Sequence, residues 1–262
     1  MTLLQWILVF TLLGGVLSVL AAGLFLLLPE KTRSRLLPHA VSFAIGALLG
    51  AALLGLLPHA LEGVQDGNYH GITATVLFGL FGFFVLEKLV LWRHCHHEDC
   101  EIHLPDLHDH DVHHAAAGTL ILIGDGLHNF IDGILIGAAF LTDIHLGVVT
   151  ALAVAAHEIP QEVGDFAILL HSGFSTSRAF LFNMLSSLTT IVGGVLAYYS
   201  LSTLQPLLPY VLAVAASSFI YVAVADLIPG LHKRAEFSAT IKQMLLIGSG
   251  VGLIYLAHST LH

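Results

Sequence analysis

The sequence is short of charge. Only 10% of its 262 residues are Asp, Glu, Lys or Arg, against about a quarter in soluble domains, which leaves too little to build an ordinary water-exposed surface. Positive charge is scarcest: nine Lys and Arg against eighteen Asp and Glu give a net charge of -9, so no basic footprint exists for a nucleic-acid partner. Two cysteines, Cys95 and Cys100, are too few for a disulfide framework and share one polar stretch with histidines. No basic segment precedes the first apolar run, residues 3–28; it is too long for a removable leader and reads as a retained spanning helix. What is abundant is apolar surface, 56% of residues, together with eighteen histidines, a pairing that directs attention to a membrane and to metals.

A bilayer core needs about 20 apolar residues per helix. Eight stretches qualify, near 3–28, 39–60, 71–92, 115–141, 146–171, 178–200, 207–229 and 239–260. The expected fold is therefore an all-α polytopic membrane protein with eight transmembrane helices, forming one domain over 1–262. Glycines inside the stretches, such as Gly46, Gly50, Gly193 and Gly194, let helix backbones approach closely where water cannot drive them together. Lys31, Arg33 and Arg35 follow span one, Lys88 and Arg93 end span three, Arg178 follows span five, and Lys233, Arg234 and Lys242 lie between spans seven and eight. All basic residues thus fall on one face, which the positive-inside rule makes cytoplasmic, with both termini outside. Spans two and seven end on Leu57-Pro58 and Ile228-Pro229, which suggests an inverted repeat of spans 1–3 and 6–8 around the pair 4–5.

Spans four and five carry polar groups that lipid should expel. Span four holds Asp125, His128, Asn129 and Asp132; span five holds His157, Glu158, Gln161, Glu162 and Asp165. One charged group at mid-bilayer costs at least about 2.5 kcal/mol, and neither segment contains a Lys or Arg to pair with these five carboxylates. Residues three or four apart share a helix face: His128 with Asp132, Asn129 with Asp132, His157 with Gln161, Glu158 with Glu162. Two such faces brought together would surround a space with imidazole nitrogens and carboxylate oxygens, a donor set suited to zinc and other first-row divalent ions. Pro160 removes a backbone donor beside this set and frees a carbonyl.

These residues, His128-Asn129-Phe130-Ile131-Asp132-Gly133 in span four and His157 through Phe166 in span five, resemble the ZIP (Zrt-, Irt-like protein) family of metal transporters, with Leu57-Pro58-His59-Ala60-Leu61-Glu62 in support. The resemblance implies a binuclear metal site, with His128, Asp132, His157 and Gln161 about one metal and Asn129, Glu158 and Gln161 about the other. It implies transport toward the cytoplasm, an inverted-repeat bundle and often a homodimer. Zinc or a similar cation (iron, manganese, cobalt or cadmium) is then a transported substrate, with no cofactor and no enzymatic activity. Many family members carry Glu or His where this chain has Gln161, a weaker neutral ligand, which puts full occupancy of both positions in question.

Other polar residues leave alternatives open. The loop 93–114 contains His94, Cys95, His96, His97, Cys100 and His103, either a cytoplasmic metal buffer or sensor or a solvated loop. His59 and Glu62 form an outer cation entrance or an interfacial cap. Asp226, nearer the membrane interior, favours a pathway role, as do Asp125, Glu162 and Asp165. An intramembrane metalloprotease is a second reading, since His157-Glu158 opens a zinc-protease signature; Gln161 stands where its second His is required. An efflux carrier is a third, since sequence does not set the sign of flux. The short chain suggests a bacterial inner membrane.

Overall fold

The computed structural model describes residues 1–64, 67–92, 111–232 and 237–261, and every regular element among them is helical. Eight helical rods follow in chain order: α1 (Leu3–Leu26), α2 (Glu30–Glu62), α3 (Tyr69–Trp92), α4 (Asp111–Thr142), α5 (Ile144–His171), α6 (Thr176–Leu201), α7 (Gln205–His232) and α8 (Phe237–Leu261). Seven of them are long and apolar enough to cross a membrane. The remaining rod, α5, is 28 residues long and carries the carboxylates of Glu158, Glu162 and Asp165. The rods coincide with the eight expected stretches, except that α2 starts nine residues earlier than 39, in the polar segment beginning at Glu30. The loop residues His94, Cys95, His96, His97, Cys100 and His103 lie outside the described residues, as do Lys233 and Arg234.

Local chemistry places the ends. Thr2 and Gln5 close α1 with a reciprocal capping box, which satisfies two otherwise orphaned backbone groups. The α4–α5 turn is a single residue: the Asp143 carboxylate accepts from the backbone N–H groups of His145 and Leu146 at 2.8 and 2.9 Å and starts α5 at once. Helices α4 and α5 are thereby held antiparallel and adjacent. In α2 and α7 the backbone widens into π-helical turns at Ala51–Leu56 and Val222–Leu227. Each ends two residues before a proline, Pro58 or Pro229, whose ring would collide with the i−4 carbonyl in an α register; the wider turn removes that collision.

The bundle is densest around α4, α5 and α6. Along α4 and α6 the backbones nearly touch, since a methyl added at Gly133 would overlap the Thr190 carbonyl and one at Gly193 the Phe130 carbonyl. Gly46 and Gly250 do the same for α2 and α8. These are small-residue contacts of the kind membrane helices use in place of a hydrophobic drive. The other main pairings are α3 with α7, α1 with both α5 and α6, α2 with α5 and α7, and α4 with α7. The core is built mainly of Ala, Leu and Ile, such as Leu48, Ile136, Leu146 and Leu212, with Phe140 and Phe219 among them. Outward-facing side chains are apolar too, Phe78 and Leu245 being 70% and 69% exposed, which suits lipid as the surrounding solvent. The protein is an integral, multi-pass membrane protein.

Candidate metal centre

Helices α4 and α5 cross with their polar faces inward. His128 and Asp132 lie one turn apart on α4, and His157 and Glu158 are consecutive on α5. Asp132, His157 and Glu158 are buried, each about 1% exposed, while His128 keeps 25% of its side chain accessible. Four ligand atoms converge. Nε2 of His128 lies 3.4 Å from Nε2 of His157, 3.4 Å from Glu158 Oε1 and 3.8 Å from Asp132 Oδ2. Nε2 of His157 lies 3.2 Å from Asp132 Oδ2 and 3.6 Å from Glu158 Oε1. A tetrahedral zinc with bonds of about 2.0–2.2 Å holds its ligand atoms about 3.3–3.6 Å apart. Five of the six edges of this tetrahedron fall at or near that length.

The surroundings prepare these atoms for a cation. Nδ1 of His157 lies 3.0 Å from the Ala153 carbonyl. A carbonyl only accepts, so Nδ1 carries the proton and Nε2 turns its lone pair into the centre. Both carboxylate oxygens of Asp132 and both of Glu158 make no hydrogen bond, nor does Oε1 of Gln161. Buried polar atoms are nearly always partnered; so many without partners, all facing one point, mark a place for a positive guest. The pair of imidazoles meets edge to face, and Phe219 of α7 packs against His157 at 6.1 Å between ring centroids, closing the centre on that side.

A second layer belongs to α6, where the sequence points to Asn183 as a route-lining or helix-bonding residue but not to Ser186, Thr189 or Thr190. The Thr190 hydroxyl donates to Asn129 Oδ1 at 2.8 Å, and Asn129 Nδ2 donates to Asp125 Oδ1 at 2.8 Å. The Ser186 hydroxyl donates to the other Asp125 oxygen, and Thr189 donates to the Gly126 carbonyl at 2.6 Å. The signal was present: Asn183, Ser186, Ser187 and Thr190 form a polar stripe at helical spacing.

The other expected residues divide by end of the bundle. A cavity of about 310 Å³ runs beside His128 and Gln161 and is lined by Asp125, Asp165, Asp226 and Glu87. Glu87, near the end of α3, was not anticipated; it accepts a hydrogen bond from the Tyr221 hydroxyl of α7, which bridges the two helices beside the cavity. Glu162 is buried, with neither oxygen hydrogen-bonded. Away from this centre, His59 meets His258 edge to face with centroids 5.5 Å apart and lines a separate cavity of about 610 Å³ with Thr142, Gln205 and Tyr210. Glu62 is exposed near it.

A family model described as ZIP Zinc transporter matches residues 92–258. Zinc transporter ZIP5 of Homo sapiens is 34% identical, with 92% of this chain and 56% of that protein covered. Zinc transporter zipt-7.1 of Caenorhabditis briggsae is 30% identical, with 97% and 79% covered. Zinc transporter ZIP10 of Danio rerio is 37% identical over 54% of this chain, which spans 18% of that protein.

Proposed function

Since the chain belongs to the ZIP zinc transporter family, we propose that it carries zinc, or a closely similar divalent cation, across a membrane toward the cytoplasm. The observation that carries this reading is the tetrahedral set of His128, Asp132, His157 and Glu158, whose ligand atoms lie within 4.8 Å of one another. In this assignment Glu158 takes the place in the zinc shell that the resemblance offers to Gln161, and Gln161 Oε1 stands by as a weaker ligand. Iron, manganese, cobalt and cadmium share enough of this donor preference to compete. The cation is cargo, so its site must also release it; the partial exposure of His128 to the cavity offers the way out.

Within the same reading, α5 is the eighth span, its carboxylates tolerated because a cation shares their pocket. The rods form an inverted repeat. Exchanging α1 with α6, α2 with α7, α3 with α8 and α4 with α5 turns the α4–α6 pairing into α5–α1, and the α2–α8 pairing into α7–α3, all of which occur. The π turns before Pro58 and Pro229 exchange likewise. By the positive-inside rule the 310 Å³ cavity faces the cytoplasm, and both termini lie outside. A homodimer is expected, with the sparsely buried α3 and α8 available to pair; cross-linking in native membranes tests it. The bacterial inner membrane is the expected location, while the relatives named above are animal proteins; membrane fractionation decides between them. Residues 93–114 are assigned to metal buffering or sensing.

Uptake of radioactive zinc into proteoliposomes tests the carrier. His157→Ala and Asp132→Ala should abolish uptake while the protein level in the membrane stays unchanged. Normal uptake by both would remove the site. A protease would move no metal at all, and an exporter expressed in cells would lower accumulation.

A further inference from the structure

We propose that His59 of α2 and His258 of α8 form a zinc-receiving position at the outer mouth of the protein, remote from the centre between α4 and α5. This rests on the reading of the chain as a zinc carrier and deepens it, by naming where the cation is first held. The two rings meet edge to face, with centroids 5.5 Å apart and planes at 77°. The imidazoles of His128 and His157 in the metal centre meet at 5.6 Å and 80°, so the outer pair repeats their arrangement closely. Nδ1 of His59 lies 2.9 Å from the Gly55 carbonyl, as Nδ1 of His157 lies 3.0 Å from that of Ala153. A carbonyl only accepts, so Nδ1 of His59 carries the proton and Nε2 is left as the ligand atom.

The pair stands at an opening. His59 lines the cavity of about 610 Å³, where the end of α2 meets Thr142 of α4 and Gln205 and Tyr210 of α7. Zinc takes four ligands, so two imidazoles leave the remaining positions to water, and the polar groups of this cavity give such waters partners. A shell completed by water holds the ion loosely enough to pass it on. Glu62 follows His59 by three residues and shares its helix face. It is exposed at the rim, where a carboxylate raises the local concentration of cations.

The inverted repeat supports the pair independently. Beside the inner cavity, Tyr221 of α7 donates to Glu87 of α3. Exchanging α3 with α8 and α7 with α2 carries that pairing to the opposite mouth, where His258 and His59 meet. Glu87 follows Pro58 at the same spacing as His258 follows Pro229. Equivalent places in the two halves thus hold a carboxylate inside and an imidazole outside. The difference has a chemical consequence. Ca2+ and Mg2+ prefer oxygen ligands, whereas imidazole suits zinc and its neighbours, so an imidazole pair at the outer mouth admits zinc ahead of the harder ions.

The test measures uptake of radioactive zinc by the full chain in proteoliposomes, over a range of external zinc concentrations and at matched protein in the membrane. The wild type is compared with His59→Gln, His258→Gln and His258→Phe. The phenylalanine keeps an aromatic edge against His59 and removes the ring nitrogens. All three substitutions should raise the KM for zinc by about tenfold or more, with the wild-type rate recovered at saturating zinc. A wild-type KM in both His59→Gln and His258→Gln overturns the outer position and leaves the carrier standing. A raised KM in His258→Gln beside a wild-type KM in His258→Phe also overturns it, since ring packing alone would then account for the contact. So does a lower maximal rate at unchanged KM, the mark of a folding or transport defect. Absence of zinc uptake by the wild type overturns the carrier reading, and this proposal with it.

Discussion

Replacing Asp132 by Asn keeps the volume of a side chain that is about 1% exposed and removes one of two carboxylates from the tetrahedral set. Its Oδ2 stands 3.2 Å from His157 Nε2, at the length of a zinc tetrahedron's edge, so the substitution exchanges a charged ligand for a neutral one without disturbing the others. Losing one charged ligand of four is expected to weaken zinc about 100-fold, equivalent to about 2.7 kcal/mol. A ligand that binds only the folded state stabilises it by RT ln(1 + [L]/Kd), about 2.7 kcal/mol at 100 times Kd and about 0.4 kcal/mol when Kd rises 100-fold. At about 2–4 °C per kcal/mol for a domain of this size, zinc should raise the melting temperature of the wild type by about 5–9 °C more than that of Asp132→Asn. Scanning fluorimetry in detergent, with zinc and then with chelator, reads the difference. Zinc held by the loop histidines shifts both proteins alike and cancels. An equal zinc-induced shift in the two proteins would refute the assignment of Asp132 as a ligand.

Acidification should weaken zinc, because both imidazoles must present a lone pair and binding displaces any proton there. Each imidazole that must give up a proton can cost up to about tenfold in affinity per pH unit of acidification; a flat zinc affinity from pH 7.5 to 5.5 would count against two histidine ligands. Tyr221→Phe removes the hydroxyl that joins α7 to Glu87 of α3 beside the cavity. It should change the rate of zinc flux by a few-fold and leave zinc affinity alone, so a matched loss of affinity would place Tyr221 in the metal site instead. Deleting residues 94–111 should alter apparent affinity or regulation while flux persists; loss of all uptake by a correctly inserted protein would make the loop essential to transport.

The helices were legible from composition alone because lipid imposes a length and a polarity on each of them. What escaped was whatever depends on backbone register. That α2 continues upstream into Glu30 follows from helix geometry carrying on into water, where hydropathy no longer reports it. The π turns at Ala51–Leu56 and Val222–Leu227 were foreshadowed only by Pro58 and Pro229. Proline announces that a helix must adjust; it does not say whether the adjustment is a kink, a break or a wider turn. The structure's answer is the same at both places.

At the centre, spacing sufficed to name the helix faces but not the partners across them. Period-four arithmetic placed Gln161 with His157 and Glu162 with Glu158, and each pair does share a face. Yet the distance that matters runs between helices, where Glu158 Oε1 reaches His128 Nε2 at 3.4 Å while Gln161 Oε1 finds no hydrogen bond. Asn129 shows the same limit. As a sequence letter it is a possible ligand; with Thr190 and Asp125 beside it, both ends of its amide are spent. The polar stripe of α6 is what decides this, and it is invisible to any reading confined to α4 and α5, because hydroxyls lipid would tolerate singly attract little notice. A carboxylate cluster in a membrane is thus identified by its charge, but its division into ligands and the groups that hold them is settled by a third helix.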